Sequence, residues 1–246
     1  MARFFLPKEN IHDRCGLIRG EELNHLRKVL RLRAGDAITV FDESGWEHEA
    51  VIRSVNTEEA EIDIHRSHAA ERESPIEITL ALGLTKADKM DFVIEKATEL
   101  GVHTIAPLIT EFTVPNLDQK KSSRRVDRWE KIALSATKQS GRTRVPGIRP
   151  IVAFSEFIEQ RSARDLNLLF WEKEGERTLR KLNAAQTPEH AVTIAVGPEG
   201  GFSAAEAQAA LQRGFLTVSL GPRILRAETA PIAALALVQF LWGDLG

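Results

Sequence analysis

Two short segments near the C-terminus constrain this chain more than any other feature. The first, GPEGGFS at residues 197 to 203, follows the apolar run AVTIAV, and the second, LGPRILRAET at residues 220 to 229, ends the run FLTVSL. Short apolar runs rich in β-branched residues are typical of buried strands, and each segment leads into a helix-like pattern. Both segments are therefore predicted to be loops at strand ends, where open α/β sheets bind their ligands. Together they predict a cofactor pocket.

The composition of the first loop indicates the charge of its ligand. Its three glycines let bare backbone approach a ligand closely, and Ser203 with Glu206 forms a capping-box pattern that begins a helix. Glu199 places a carboxylate in the loop, and no Gly-Lys-Ser/Thr sequence follows, so a phosphate ligand is disfavoured. A neutral or cationic ligand fits better, and a tight turn without any ligand is the alternative.

The second loop crowds charges against an apolar helix. Arg223, Arg226 and Glu228 directly precede residues 230 to 242, which are apolar nearly all round. The N-cap of the helix is predicted to be Thr229 or Ala230, and the helix is shorter than the roughly 18 residues expected of a membrane span. It must then be buried on more than one side, by the domain core, by a partner subunit, or by both. A local ion pair between arginine and glutamate is the alternative reading of the three charges.

The first part of the chain is predicted to be a small β-rich domain. A helix is expected at residues 17 to 32, with Leu23, Leu26 and Leu30 on one face. Three runs that alternate with period two indicate strands of a meander or barrel, and they lie at residues 37 to 41, 46 to 53 and 60 to 65. The polar residues 65 to 74 read as a linker. The domain therefore spans residues 1 to 70.

The remainder, residues 75 to 246, is predicted to be an α/β domain with a mostly parallel sheet, because strand patterns alternate with helix patterns. The strand candidates are residues 76 to 82, 102 to 108, 166 to 171, 191 to 196 and 215 to 220. Between the first two lies a helix whose inner face is predicted to carry Met90, Val93, Ile94 and Ala97, with Gly101 past its end.

Composition excludes several classes of protein. The single cysteine, Cys15, excludes a disulfide framework within the chain, a zinc ribbon and a cysteine-ligated iron-sulfur cluster. The histidines form no HExxH motif, so no metal is expected, and no G-x-S-x-G motif anchors a hydrolase triad. Neither a secretory signal nor a membrane segment is recognisable, so the expectation is a cytoplasmic protein without membrane contact.

Basic residues are concentrated in two places, although the formal net charge is -2. Residues 118 to 149 contain ten basic and three acidic residues, and Arg27, Lys28, Arg31 and Arg33 form a smaller group in the first predicted helix. Such patches are what an electrostatic RNA footprint requires, because phosphate contacts dominate nucleic-acid affinity. Solvated helix faces are the alternative, since most helical charge runs serve no partner.

The two C-terminal loops, extended as GPEGGFS and LGPRILRAETA, resemble the signature of the knotted SPOUT methyltransferases. Within that superfamily the chain resembles the bacterial 16S ribosomal RNA uridine-N3 methyltransferases (the RsmE type) along nearly its whole length. The matching segments are RFFLP at residues 3 to 7, HLRKVLRLRAGD at 25 to 36, KMDFVIEKATELGV at 89 to 102 and RWEKIALSATKQSGR at 128 to 142.

This resemblance implies a fold, a methyl donor and partners. The C-terminal domain is implied to be a trefoil-knotted SPOUT domain that uses S-adenosylmethionine, and the N-terminal domain a PUA-like RNA-binding domain. The implied partners are 16S ribosomal RNA or the assembled small ribosomal subunit and a second copy of the chain in a homodimer. The implied reaction, part of ribosome biogenesis, is methylation of uridine N3.

The same resemblance implies site residues. Arg226 is implied to orient or stabilise the base, Glu228 to act as acid-base or orienting partner, and Arg142 to make a further RNA or catalytic contact. The implied cofactor-binding residues are Gly197, Pro198, Glu199, Gly200, Gly201, Leu220, Leu225, Ala227 and Thr229. The implied RNA-binding residues are Arg27, Lys28, Arg31, Arg124, Arg125 and Arg128.

Two departures from the family pattern and three rival functions remain open at this stage. Phe112 stands where the family commonly has arginine, and Lys138 where it often has an acid, so the roles of these two positions are in doubt. The rivals are a SPOUT ribose 2′-O-methyltransferase, a non-catalytic RNA-binding ribosome-assembly factor, and a nucleotide-dependent α/β enzyme. The last is disfavoured because no phosphate cradle is recognisable.

Overall fold

The chain forms two compact units, and each unit combines two separate segments of the sequence. In this computed structural model, residues 1–113, 119–161, 165–183, 188 and 191–246 are described. One unit comprises Met1–Glu73 and Thr137–Val145, and the other comprises Ser74–Ala136 and Pro146–Gly246. The sequence analysis assigned residues 137 to 145 to the C-terminal domain, and the structure groups them with the first unit instead. Charged side chains explain this grouping, because Lys138 and Arg142 pair with Glu22 and Glu73 of the first unit.

The first unit is built on one six-stranded sheet, as its period-two patterns predict. Its strands are β1 (Ala2–Phe5), β2 (Ile11–His12), β3 (Cys15–Ile18), β4 (Ala37–Phe41), β5 (Trp46–Val55) and β6 (Ala60–Ala69). Their order is β1-β4-β5-β6-β3-β2, and all pairs are antiparallel except β1 with β4. Alternate residues such as Ile38, Ile52 and Ile62 point into one apolar core.

The predicted linker begins too early. Strand β6 continues to Ala69, where it pairs with Trp46 of β5, so residues 65 to 69 belong to the sheet. The apolar alternation stops after Ile64. Strand β6 nevertheless continues, because its backbone pairs with the long strand β5. The side chains of residues 65 to 69 are mostly polar and bury little apolar area. In the sequence such residues resemble a linker, although their backbone belongs to the sheet.

The predicted helix at residues 17 to 32 is shorter than expected and changes its winding. It consists of α1 (Gly20–Asn24) and one π-helical turn (His25–Val29), while residues 17 and 18 belong to β3. Leu23 and Leu26 are buried as predicted, but Leu30 is 40% exposed. The wider π turn, in which Leu30 N–H donates to His25 O at 3.0 Å, rotates Leu30 off the apolar face. Leu32 packs against the core in its place.

The second unit contains the predicted parallel sheet. Its strands are β7 (Glu77–Gly83), β8 (Thr104–Ile109), β9 (Gly147–Ile148), β10 (Val152–Ala153), β11 (Leu166–Phe170), β12 (Ala191–Val196) and β13 (Leu216–Val218). The order is β10-β8-β7-β12-β11-β13, with β9 paired to β8, and every pairing is parallel. All five strand candidates are confirmed within a few residues. The two-residue strands β9 and β10 are too short to leave a pattern in the sequence.

Helices connect these strands. They are α2 (Ala87–Glu99), α3 (Gln119–Ser140), α4 (Phe154–Glu159), α5 (Leu179–Asn183), α6 (Ala204–Gln212) and α7 (Thr229–Trp242). The inner face predicted for α2 is confirmed, since Met90, Val93, Ile94 and Ala97 are all buried. Helix α3 begins in the second unit, and its residues from Thr137 onward are grouped with the first.

Helix α7 begins one residue earlier than predicted and is incompletely buried within the chain. Its N-cap is Glu228 rather than Thr229 or Ala230, because the N–H groups of both latter residues donate to Arg226 O at 2.9 Å. Val238 is fully buried, whereas Phe240 is 60% exposed. Among the described residues, the burial that the apolar composition of α7 requires is thus incomplete. Within the described residues, no helix is both long and apolar enough to cross a membrane.

Candidate active site

The ends of several parallel strands meet at one edge of the second sheet, and the GPEGG loop lies there. Gly83 at the end of β7 packs so closely on this loop that a Cβ atom would lie 2.5 Å from Pro198 Cδ. Gly197 is equally constrained, because a Cβ atom there would lie 2.6 Å from the carbonyl carbon of Gly201. The loop closes on itself through a hydrogen bond from Gly201 N–H to Pro198 O at 2.9 Å. Gly197 is therefore required by close backbone packing, and Gly201 by its positive φ of 70°.

The predicted capping box at the start of α6 is confirmed and extends beyond the helix. Ser203 Oγ accepts from Glu206 N–H at 3.2 Å, and Glu206 Oε2 accepts from Ser203 N–H at 2.9 Å. The other oxygen, Glu206 Oε1, accepts from Glu111 N–H at 2.9 Å, which ties the loop to the segment after β8. On the other side, Trp171 Nε1 donates to Phe202 O at 3.0 Å. The GPEGGFS segment is thus held by residues that follow β8 and β11.

Phe112, one of the two departures from the family pattern, contacts this loop directly. A Cβ atom on Gly200 would lie 2.6 Å from Phe112 Cβ, so the aromatic side chain covers the backbone of the loop. Phe112 remains 44% exposed. This position therefore supplies an apolar contact to the loop where the family pattern commonly has a cation.

The second loop combines buried backbone with exposed cations. After β13, Ser219 and Gly221 hydrogen-bond to each other across a turn. Arg223 and Arg226 are exposed, while Ala227 is buried. Leu220, Leu225 and Glu228 are half-buried, and Thr229 is exposed. The loop thus presents an exposed guanidinium one residue before a buried alanine and two before a half-buried carboxylate.

Lys89 joins the two loops. Its Nζ lies 3.1 Å from Glu199 Oε1 of the first loop and 3.2 Å from Glu228 Oε2 of the second. The contact with Glu228 is an ion pair without aligned hydrogen-bond geometry, since Glu228 Oε2 has no hydrogen-bond partner among the described residues. We call Lys89, Glu199 and Glu228 the loop-bridging cluster. One ammonium group and two carboxylates leave it with one negative charge in excess.

The mutual contact of Lys89 and Glu228 shifts the pKa of both groups. The pKa of Glu228 is lowered from its usual value, first by a hydrogen bond from its own backbone N–H and then by Lys89, with Arg226 adding to the effect. The pKa of Lys89 is raised by Glu199 and then by Glu228. A carboxylate held in this way is a weak proton acceptor and a good hydrogen-bond acceptor.

The sequence predicts Glu199 and Glu228 in one pocket, which stays a prediction, and it does not predict that Lys89 contacts both. A signal was present, because Lys89 occupies the first turn of α2, where a cation opposes the helix dipole. A lysine in the first turn of a helix, soon after the end of a strand, indicates that carboxylates from other segments offset its unfavourable interaction with the helix dipole.

Arg142 and Lys138 have partners in the first unit. Arg142 is only 4% exposed, and its Nε and Nη2 donate to Glu73 Oε2 at 3.1 and 2.6 Å. Lys138 Nζ lies 2.7 Å from Glu22 Oε1, so the second departure from the family pattern is an ion pair. Arg142 is structural in this arrangement, and its implied contact with RNA stays a prediction.

The implied RNA-binding residues lie along two basic concave surfaces, one in each unit. In the first unit, Arg27, Lys28 and Arg31 line a depression together with Arg33. In the second unit, Arg124 and Arg128 line a depression along α3, and Arg125 is half-buried. Arg128 also pairs with Asp91 at 2.6 Å. Asp118, which the charge count included, lies outside the described residues.

Comparison with known proteins identifies the family. Residues 72–239 match the model of the RNA methyltransferase domain, and residues 18–64 match that of the RNA methyltransferase PUA domain. The ribosomal RNA small subunit methyltransferase E of Bacillus subtilis is 34% identical over 98% of this chain and 96% of its own. The chain belongs to the ribosomal RNA small subunit methyltransferase E family.

Solved structures of similar proteins agree with this membership. The methyltransferase E of Neisseria gonorrhoeae, solved bound to S-adenosylmethionine, is 36% identical with a TM-score of 0.91 over the whole of both chains. A Legionella pneumophila methyltransferase, also solved with that cofactor, is 34% identical with a TM-score of 0.90 over 99% of this chain and 98% of its own. The resemblance and the SPOUT fold that it implied are thus confirmed, and this methyltransferase E family member is an RNA methyltransferase.

Proposed function

We propose that this protein transfers a methyl group from S-adenosylmethionine to N3 of a uridine in 16S ribosomal RNA. The observation that carries the proposal is the loop-bridging cluster, which joins the two signature loops at the ligand edge of the sheet in a member of this methyltransferase family. Support for the donor comes from the Neisseria gonorrhoeae relative, whose structure contains S-adenosylmethionine.

The residues of the pocket fit this donor. Backbone packing at Gly197 and the side chain of Glu172 at Gly201 leave no room there for a side chain. The excess negative charge of the cluster favours a ligand that carries a positive sulfonium. S-adenosylmethionine supplies an already activated methyl group. The backbone of Leu220, Leu225 and Ala227 and the hydroxyl of Thr229 are proposed to hold it, together with residues 197 to 201.

Arg226 and Glu228 are proposed to act on the uridine. The N3 proton must pass to water before the methyl carbon leaves the sulfonium sulfur and bonds to N3, so negative charge develops on the base. The exposed guanidinium of Arg226 would stabilise that charge. The lowered pKa of Glu228 favours an orienting role over that of final proton acceptor, because the ionised carboxylate can accept a hydrogen bond from N3–H and hold the base in line with the donor.

RNA and a second copy of the chain are the proposed partners. The basic depressions around Arg31 and Arg124 would contact phosphates in free 16S ribosomal RNA or in the assembled small subunit. The proposed site of the reaction is the cytoplasm. The exposed Leu237 and Phe240 on α7 support a homodimer, since large apolar side chains on a helix this apolar require cover. Sedimentation as a stable monomer at micromolar concentration would count against the dimer.

Two measurements test the enzymatic proposal. Isothermal titration calorimetry should detect binding of S-adenosylmethionine and of its demethylated product. Tritium from the labelled methyl donor should enter 16S ribosomal RNA, and nucleoside analysis should find it in N3-methyluridine. Label in a ribose 2′-O-methyl group would replace the proposed specificity, and RNA binding without donor uptake would leave a non-catalytic assembly factor.

A further inference from the structure

We propose that Lys89 is a positioning residue for methyl transfer, because its ammonium group fixes the GPEGG loop and the loop that carries Arg226 and Glu228 relative to each other. The inference rests on the proposed function and adds to it a residue that contacts both carboxylates of the pocket. Lys89 acts through Glu199 and Glu228 and need not contact the uridine or the methyl donor.

The helix that carries Lys89 is a rigid base for this role. Helix α2 begins directly after the end of β7, and its inner residues Met90, Val93 and Ile94 are buried in the core of the second unit. The side chain of Lys89 is 25% exposed, so most of its stem is packed. A packed stem on an anchored helix turn restricts where the ammonium group can lie, and the two carboxylates are drawn to that point.

Its partners distinguish Lys89 from an ordinary surface lysine. Lys96, on the same helix, pairs with Glu95 and Glu99, which are its neighbours along that helix. Lys89 instead pairs with residues of two loops that are distant in the sequence and follow different strands. Local helix pairs contribute little to stability, whereas a cross-loop pair limits the relative movement of two parts of a pocket.

Removal of the ammonium group leaves the two carboxylates without the cation that both of them contact. Their repulsion would separate the loops, and misplacement by about 1 Å can reduce a reaction about 100-fold. The charged groups around the carboxylates are Lys89 itself on α2 and Arg226 in the second loop. Without Lys89 the pKa of Glu228 would rise, so the acid limb of the pH-rate profile would move to higher pH.

The variants Lys89→Met and Lys89→Arg test this role, with Lys96→Met as the matched control. Lys89→Met should lower kcat for transfer to 16S ribosomal RNA about 100-fold and weaken S-adenosylmethionine binding less, by about 10-fold. Lys89→Arg should recover a large part of kcat and keep the wild-type acid limb, because it restores the positive charge. Lys96→Met should match the wild type in both.

Distinct outcomes separate failure of this inference from failure of the proposed function. If the wild type neither binds the donor nor transfers methyl groups, the function itself is wrong. If the wild type is active and Lys89→Met keeps its kcat and acid limb, the positioning role is wrong. Should Lys89→Met fail to fold, Lys89→Gln replaces it: a lower kcat with the acid limb moved to higher pH supports the role, and wild-type kcat with the wild-type acid limb overturns it.

Discussion

Two carboxylates, one in each unit, show how differently the same group can be used. Glu73 in the first unit accepts four hydrogen bonds, two from the guanidinium of Arg142 and one each from the backbone N–H groups of Thr143 and Arg144. Glu228 in the second unit is ion-paired to Lys89, and its Oε2 has no aligned donor within the described residues. The first carboxylate is saturated, whereas the second retains acceptor capacity.

In this RNA methyltransferase, the remaining acceptor capacity of a carboxylate distinguishes a structural residue from one that can bind a substrate. A saturated carboxylate organises backbone, as Glu73 does for residues 142 to 144, and it has nothing left to offer a substrate. A half-buried carboxylate with spare acceptor capacity costs stability unless a ligand uses it. We therefore expect a carboxylate near the signature loops to act on a ligand only where it retains acceptor capacity. The following substitutions test this rule.

The largest effect is expected at the saturated carboxylate, and it should be on stability. Arg142→Met removes one partner of a buried, hydrogen-bonded ion pair and leaves Glu73 uncompensated, so the free energy of unfolding should fall by about 3 kcal/mol. Urea denaturation of the full chain measures this change. Arg144→Met is the matched control, because that exposed side chain can be lost while its backbone N–H still donates to Glu73.

The opposite result would overturn the comparison. A fully stable Arg142→Met protein that no longer transfers methyl groups would make Arg142 the RNA or catalytic contact that the family resemblance implies. The buried position of its side chain would then be only one of two arrangements.

At the unsaturated carboxylate the effect should be on turnover instead. Glu228→Gln keeps the size of the side chain and loses its charge, so kcat should fall about 100-fold while the affinity for S-adenosylmethionine changes little. Single-turnover transfer and calorimetry separate the two quantities. Glu95→Gln, a carboxylate that also pairs with a lysine of α2, should change neither. Loss of donor affinity in Glu228→Gln without loss of kcat would reassign Glu228 to cofactor binding.

Arg226 should show a smaller effect of the same kind. Arg226→Ala is expected to lower kcat about 10-fold, less than Glu228→Gln, because an exposed guanidinium is screened by water and salt. Arg223→Ala removes an equally exposed cation from the same loop and should have no more than about a twofold effect. Equal losses in both variants would point to general attraction of RNA rather than to a specific role for Arg226.

A third carboxylate extends the rule within the second unit. Glu174 accepts hydrogen bonds from Thr217 Oγ1 and from the backbone N–H groups of Arg177 and Glu176, and these bonds lower its pKa from 4.5 to about 2. Because the folded-state pKa is depressed, this stabilisation is present above pH 4.5 and is lost as the pH falls toward 2.

Glu174→Gln should therefore remove a pH-dependent part of the stability. We expect the variant to be less stable than the wild type by about 1 kcal/mol at pH 6, a value reduced by the partial exposure of the group. The gap should close as the pH approaches 2, which urea denaturation at several pH values can follow. A gap that stays constant with pH would mean that Glu174 acts by shape alone. Methyl transfer at neutral pH should be unaffected in the folded variant.

The sequence predicted the sheet and its signature loops because their determinants are local. The strand at residues 191 to 196 is followed by a glycine-rich loop and then by a capping box. Each of these features leaves a pattern within a few residues of the sequence. Lys89 was missed because its role depends on two partners that only the folded chain brings to it. Local patterns predict elements, but they do not predict which charges will meet.

The failures at the first unit have the same origin. The π turn that rotates Leu30 outward and brings Leu32 to the core satisfies the same apolar periodicity as a regular helix, so the sequence did not distinguish them. The grouping of residues 137 to 145 with the first unit depends on contacts with Glu22 and Glu73, which are distant in the sequence. Ion pairs between residues distant in the sequence thus determine this grouping, and the periodicity of the sequence does not reveal them.

The smallest expected effect concerns RNA affinity and compares two cations on α3, of which only Arg128 has an ion pair among the described residues. Arg128 pairs with Asp91, so part of its charge is already compensated, whereas Arg124 lines the same depression and is exposed. Arg124→Ala should therefore reduce the slope of log K against log salt by about 0.7, as expected for one phosphate contact with single-stranded RNA. Arg128→Ala should reduce it less. Fluorescence anisotropy with a 16S ribosomal RNA fragment at several salt concentrations measures both slopes, and an unchanged slope in Arg124→Ala would remove this face of α3 from the RNA-binding surface.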